Sequence, residues 1–266
     1  MVSLQEGLML ADGGVVSLVG AGGKTSLMFR LAHELTKSGE TVLTTTTTKI
    51  FEPAPDQAIR VILAESAAGL RAQAQGLLKN QTHICAAAAR LPEQGKLGGF
   101  LPAIVDDICQ CKLFRWIIVE ADGAAGRPLK APADHEPVVP DCTTHLVGLV
   151  GLNGLGRPLN DQWVFRRRQF VALTGLEPDA AVSDAAVANL LVDKNGIFKN
   201  APVDAARIAF CNQADIPSNL AAGRRIARIL RTRKNTGLKR LVIGQVLSDP
   251  PVIEVYDLNA QREYDE

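Results

Sequence analysis

The chain has 266 residues, 47% of them apolar and 21% charged, with a formal net charge of +1, a composition that suits one large α/β domain or two small ones with a sizeable core. This balance gives no basic field for nucleic acid or an anionic membrane and favours a small-molecule ligand. No apolar stretch reaches the roughly 18 residues of a membrane span, and the start Met-Val-Ser-Leu-Gln-Glu lacks the basic region of a signal peptide, so the expected location is the cytoplasm.

The first predicted element is a buried strand over residues 15–19. It breaks into Gly20-Ala21-Gly22-Gly23-Lys24-Thr25-Ser26 and then into an amphipathic helix over 25–37 carrying Leu27, Met28, Leu31 and Leu35. Glycines at such a junction let backbone N–H groups converge on an anion, Lys24 adds a point charge, and Thr25 offers a hydroxyl to Mg²⁺. The segment reads as a phosphate-binding loop (P-loop), with a structural turn as the alternative. Leu18 stands where the common pattern has its first glycine, so the loop is expected to be shortened or differently folded.

A second strand over 41–45 runs into the threonine series 44–48 and Lys49. Threonine suits strands for backbone reasons, yet five in succession exceed that need, and Thr47, Thr48 and Lys49 are candidate phosphate ligands. A strand over 59–63, a helix over 67–78 and a strand over 83–87 follow. Cys109-Gln110-Cys111 has no second thiol pair or nearby histidine to complete a metal site. The five scattered cysteines suit reduced thiols with structural roles.

The strand over 116–121 is apolar and ends in Glu120-Ala121-Asp122-Gly123, the layout that brings an acid to Mg²⁺ or to an attacking water. The two carboxylates fall on one side of an extended chain, and the alternative is a plain Asp-Gly turn. Residues 124–140, rich in proline and charge, are expected to loop over the strand ends. There Arg127 and Lys130 are candidate contacts to phosphates or an anionic partner and Glu136 a candidate metal assistant, with solvated loop charges as the alternative.

After a strand over 145–150, residues 152–200 interrupt the rhythm with Arg166-Arg167-Arg168, a helix beginning near Ser183 and an Asn195-Gly196 turn. They read as an insertion or subdomain within a single domain over 1–266. The arginine triplet reads as a solvated helix face, with docking of an anionic partner as the alternative. The strand over 207–211 leads into Asn212-Gln213-Ala214-Asp215, which resembles the guanine-reading motif of GTPases with glutamine in place of lysine. Asp215 would accept from the base and Asn212 would hold loop and base, or the segment simply starts a helix. A helix over 218–233, a strand over 241–244 and an edge strand over 251–256 with a polar tail complete the chain. Such alternation predicts an α/β fold: a mainly parallel sheet with helices on both faces, P-loop NTPase-like, with a partly helical insertion and its ligand at the carboxyl ends of the strands.

Taken in order, Val-Gly-Ala-Gly-Gly-Lys-Thr-Ser, Thr-Thr-Lys-Ile, Val-Glu-Ala-Asp-Gly, Arg-Pro-Leu-Lys-Ala-Pro and His-Glu-Pro-Val-Val-Pro resemble the YqeC family over most of the chain. The resemblance implies an accessory role for selenium-dependent molybdenum hydroxylases, also described as selenium cofactor biosynthesis. It places the family's P-loop-like segment at Gly20 through Thr25 and its acidic strand at Glu120 and Asp122. The residues themselves imply a Mg²⁺-nucleotide site for GTP or ATP. Lys24 and the glycine amides would hold phosphates, Thr25 with Asp122 would hold the metal directly or through water with Glu120 a further candidate ligand, and Glu120 would orient or deprotonate a nucleophile. The expected activity is nucleoside triphosphate hydrolysis. The alternatives are nucleotidyl or phosphoryl transfer to a cofactor precursor, and a non-catalytic chaperone or carrier of a phosphate-bearing cofactor such as molybdopterin. A molybdenum hydroxylase or its cofactor is the expected partner.

Overall fold

The computed structural model describes residues 2–58 and 60–258. Helix α1 (Leu4–Gly7) leads to β1 (Gly14–Gly20), α2 (Lys24–Lys37), β2 (Val42–Thr46), β3 (Lys49–Phe51), β4 (Val61–Leu63), α3 (Ala67–Leu77) and β5 (His83–Ala87). Then come β6 (Ala89–Leu91), β7 (Lys96–Gly98), α4 (Pro102–Gln110), β8 (Trp116–Glu120), β9 (Leu129–Lys130) and β10 (His145–Gly151). The chain continues through β11 (Val164–Phe165), α5 (Arg167–Thr174), α6 (Asp184–Val192), β12 (Ala206–Asn212), α7 (Pro217–Thr232), β13 (Arg240–Gly244) and β14 (Val252–Asp257). The strand expected over 59–63 is found at Val61–Leu63; Ile59 lies outside the described residues, as does the polar tail beyond residue 258.

Nine strands form one sheet in the order β14-β13-β12-β10-β1-β8-β2-β5-β4. Every pairing in it is parallel except that of β14 with β13, which makes β14 the antiparallel edge. Alternation along β1 sorts the core into two layers, because successive side chains in a strand point to opposite faces. Val16 and Leu18 pack with Leu27, Met28, Leu31 and Leu35 of α2. Val15 and Val19 join the layer that holds Leu70 of α3, Val105 of α4, Phe170 of α5, Val187 of α6 and Ile226 of α7. Helices therefore cover both faces, which is why the parallel strands read as near-continuous apolar runs.

Two small sheets sit beyond the carboxyl ends of these strands. Antiparallel β3-β7-β6 grows directly from β2, and β9 pairs with β11, which anchors the start of the 152–200 segment to the loop after β8. No helix of the described residues is long and apolar enough to cross a membrane.

Candidate nucleotide site

Gly14–Gly20 runs as strand up to the glycines and α2 begins at Lys24, so only Ala21, Gly22 and Gly23 form the turn. Leu18 is fully buried in β1, opposite Val147 and Glu120. The place of the missing glycine is thus occupied by sheet, and the loop is short for that reason. Gly22 and Gly23 have φ of +85° and +121°. A Cβ at Gly22 would fall 2.4 Å from the Cα of Gly151, and one at Gly23 would fall 2.3 Å from Asn212 Nδ2. Only glycine allows this close approach in the left-handed region.

Helix α2 has no side-chain cap, and its first amide bonded back to the turn is that of Leu27, on the Gly23 carbonyl. Lys24, Thr25 and Ser26 precede it and line the cleft; the first amides of a helix have no partner within it, and the positive end of the helix dipole adds to them. Three neighbours fix the turn. Ala21 N donates to Leu149 O at 3.0 Å, Gly20 N to Asp122 Oδ2 at 2.9 Å, and Asn212 Nδ2 to Gly22 O at 2.8 Å. Asn212 also accepts from Val246 N at 3.1 Å, so it ties the turn to the segment after β13.

Beneath the turn lies a charge cluster. Lys24, 4% exposed, donates to Gly20 O at 2.7 Å and lies 3.1 Å from Asp122 Oδ1 and 3.8 Å from Glu120 Oε1. Asp122 Oδ1 has no well-aligned hydrogen-bond donor. Burial pulls the Lys24 ammonium down, but the Asp122 and Glu120 carboxylates outweigh it and hold its pKa above the ordinary value. Burial pushes the Glu120 carboxyl up, against the opposing pull of Lys24 and the Thr25 hydroxyl.

The two acids take different partners from those expected. Thr25 Oγ1 donates to Glu120 Oε2 at 2.6 Å, whereas Asp122 is engaged by Gly20 N, Lys24 and Lys130. The expectation had paired Thr25 with Asp122. The reason lies in the chain path: β8 ends at Glu120, so its side chain stays level with the sheet ends, while Asp122 sits in the turn and folds under the loop. Thr25 and Glu120 both line the cleft. They form a hard, all-oxygen pair of the kind that suits Mg²⁺, which ordinarily takes one or two protein oxygens together with substrate phosphates.

Lys130 departs from its expected position as a phosphate contact. Its side chain is fully buried and its ammonium meets Gly123 O at 2.6 Å, Glu136 Oε2 at 2.7 Å and Asp122 Oδ2 at 3.0 Å. Two of its donors are spent on Gly123 O and Glu136 Oε2, and Asp122 adds a close ion pair. Glu136, expected to assist a metal, is held by Lys130 and by Arg166 Nη2 at 2.8 Å. Arg166, read as part of a solvated helix face, therefore points inward. It precedes α5 with φ of +63°, and its guanidinium lies 5.0 Å from the Phe165 ring centre. Lys24, Lys130 and Arg166 together balance Glu120, Asp122 and Glu136.

The threonine series is largely committed to the fold. Thr44 bonds His83 Nε2, Thr45 donates to Ala86 O, Thr46 to Glu120 O, and Thr47 to Val138 O at 2.6 Å. Thr48 and Lys49 line the cleft and Thr47 does not. Arg127 lines it as well, donating to Asp161 O and Ala125 O. Asp215 is exposed at the start of α7 and outside the lining, while Gln213, with φ of +68°, enters the lining with a buried Oε1 that accepts no hydrogen bond.

The cleft, about 610 Å³, also includes residues the sequence did not flag: Phe51, Lys96, Asn153, Trp163 and Phe165. Phe51 and Lys96 lie in the three-residue strands β3 and β7, too short for alternation to show in the sequence.

Fold and site together define an α/β protein with a glycine turn and an uncapped helix start at the end of the central strand of a mostly parallel sheet. The model of the family described as YqeC protein matches residues 16–168. A protein of Escherichia coli (strain K12) described as YqeC is 34% identical over 238 residues, covering 90% of each chain. The chain belongs to the YqeC family. Among solved structures, FtsY from Mycoplasma mycoides is similar with a TM-score of 0.41 and 11% identity; this chain is covered over 94% of its length and spans 66% of that structure's.

Proposed function

We propose that this protein binds Mg²⁺-nucleoside triphosphate, GTP or ATP, at the Gly20–Ser26 turn and hydrolyses it slowly. The observation that carries the reading is the uncapped start of α2, where free amides, the Lys24 charge and the Thr25–Glu120 oxygen pair converge on one cleft. Lys24 and the amides would bind the β- and γ-phosphates. Thr25 and Glu120 would hold Mg²⁺, whose contribution is to neutralise phosphate charge. Asp122 anchors the loop through Gly20 N and positions the two lysines. Asn212 holds the cradle turn, Gln213 would face the base, and Asp215, exposed and outside the lining, would have to reach the base to favour guanine.

Slow turnover follows from the hydrogen bonds. Each carboxylate lining the cleft already has a partner: Glu120 takes Thr25, and Glu136 takes Lys130 and Arg166. The Thr47 hydroxyl is likewise engaged. No unengaged carboxylate among the described lining residues is left to orient a water, which also supports the reading of a carrier that binds without turnover. The resemblance to accessory proteins, rather than a feature of the cleft, supports a role in maturing a selenium-dependent molybdenum hydroxylase.

Phosphate release by purified protein tests the enzymatic half. Expected is a Mg²⁺-dependent rate below the roughly 1 s⁻¹ at the low end of ordinary enzymes, abolished in Thr25→Ala. Binding with no release at all would leave the carrier reading in its place, and a rate unchanged in Thr25→Ala would remove this cleft as the site.

A further inference from the structure

Antiparallel β3 and β7 carry Lys49, Phe51 and Lys96 on one face. Lys49 and Phe51 are two apart in β3, and Phe51 stands directly opposite Lys96 in β7. The alternate residues Ile50 and Leu97 are buried and pin this face outward. All three of the outward residues line the cleft. Phe51 is 69% exposed, with the Lys96 ammonium 4.9 Å from its ring centre. Neither Lys49 nor Lys96 forms an ion pair among the described residues, in contrast to the balanced cluster under the cradle. The same cleft is lined by Trp163 and Phe165 from the segment paired to β9.

The position of this platform is informative. It grows from β2, on one side of the cradle strand, whereas β12, which ends at Asn212 and is followed by Gln213, lies on the other. A nucleotide whose phosphates occupy the cradle and whose base extends toward Gln213 leaves the platform uncovered. A largely exposed phenyl ring with one ammonium over it and a second lysine two residues along the strand matches a planar ring that carries an anionic group: the incoming ring packs against the exposed phenyl surface and the anion meets ammonium.

We propose that the Lys49, Phe51 and Lys96 platform is a second ligand site, taking a planar-ring compound that bears a phosphate group while nucleotide occupies the cradle. The inference rests on the nucleotide reading for the arrangement of the two ligands, but the platform's own chemistry is independent of it.

Trp163 supplies the readout, since the other tryptophan, Trp116, is 2% exposed in the core. Pyridoxine 5′-phosphate would be titrated into the full chain in the presence of saturating, non-hydrolysable GTP and ATP analogues with Mg²⁺, following tryptophan fluorescence. Pyridoxine and ribose 5-phosphate serve as probes lacking one half of the chemistry. The expected result is saturable quenching, at least tenfold weaker for either control probe and at least tenfold weaker in Lys96→Ala and in Phe51→Ala. Both substitutions fall on a solvent-facing surface, and circular dichroism checks that each variant is folded. Absence of saturable quenching, or quenching unaffected by both substitutions, would overturn the proposal. Quenching that disappears when the analogues are added would show a single site at the cradle and overturn it equally. A protein that binds the probe at the platform but binds no nucleotide would retain this inference and remove the nucleotide reading.

Discussion

Replacing Lys130 with methionine tests the charge cluster under the cradle. The ammonium is fully buried, hydrogen-bonded to Gly123 O and Glu136 and ion-paired with Asp122 as well as Glu136. Methionine keeps most of the volume and removes the charge, leaving Gly123 O without its donor and two buried acids short of a cation. Breaking a buried pair from one side costs about 3–5 kcal/mol, because the partner charge stays behind uncompensated. For a chain of this size that loss lowers Tm by about 6–20 °C, and it removes a large part of the roughly 5–15 kcal/mol that ordinarily separates folded from unfolded states. Urea unfolding of Lys130→Met beside the parent measures it. Adding Glu136→Gln should recover part of the loss, since the two positions interact directly and their effects are not additive. A loss below about 1 kcal/mol, the range of solvated surface pairs, would refute the reasoning, because it would mean that Lys130 is hydrated and its partners do not depend on it.

Asn212→Ala leaves Gly22 O and Val246 N without partners. At about 1–3 kcal/mol for each buried orphan, it should lower stability measurably by urea titration and weaken nucleotide binding through a loosened turn. Gly23→Ala places a Cβ 2.3 Å from Asn212 Nδ2 at φ of +121°, so nucleotide affinity should fall at least tenfold in calorimetry while far-ultraviolet circular dichroism stays unchanged. Burial raises the Glu120 pKa, so the Mg²⁺-dependent part of nucleotide affinity should rise as pH climbs through that raised value, and Glu120→Gln should flatten the rise. The sign for stability is the opposite: the folded chain holds this proton more tightly than the unfolded one, so Glu120 costs stability as pH rises through the folded pKa, and Glu120→Gln should flatten that part of the pH dependence of unfolding.

The main sheet was legible because parallel strands covered on both faces leave apolar runs, and residues 83–87, 145–150 and 207–211 lie within β5, β10 and β12. The turn was legible because Gly-Gly-Lys-Thr between an apolar strand and an amphipathic helix has few other uses. The division of labour between Glu120 and Asp122 was not, because alternation puts both on one side and says nothing of where the strand stops. Lys130 and Arg166 read as loop and surface charges. Their burial depends on β9 pairing with β11, two residues against two across more than 30 intervening positions, which no local pattern announces. The β3-β7-β6 sheet was missed for a similar reason: three-residue strands carry too little periodicity to stand out.

Calorimetric titration with GTP and with ATP, with and without Mg²⁺, on the parent chain, Lys24→Ala and Asp215→Ala, addresses the central claim most directly. The account predicts Mg²⁺-strengthened binding of at least one nucleotide that is lost in folded Lys24→Ala, with any preference for GTP reduced in Asp215→Ala. Binding of neither nucleotide by the parent, or undiminished binding in Lys24→Ala, would contradict it.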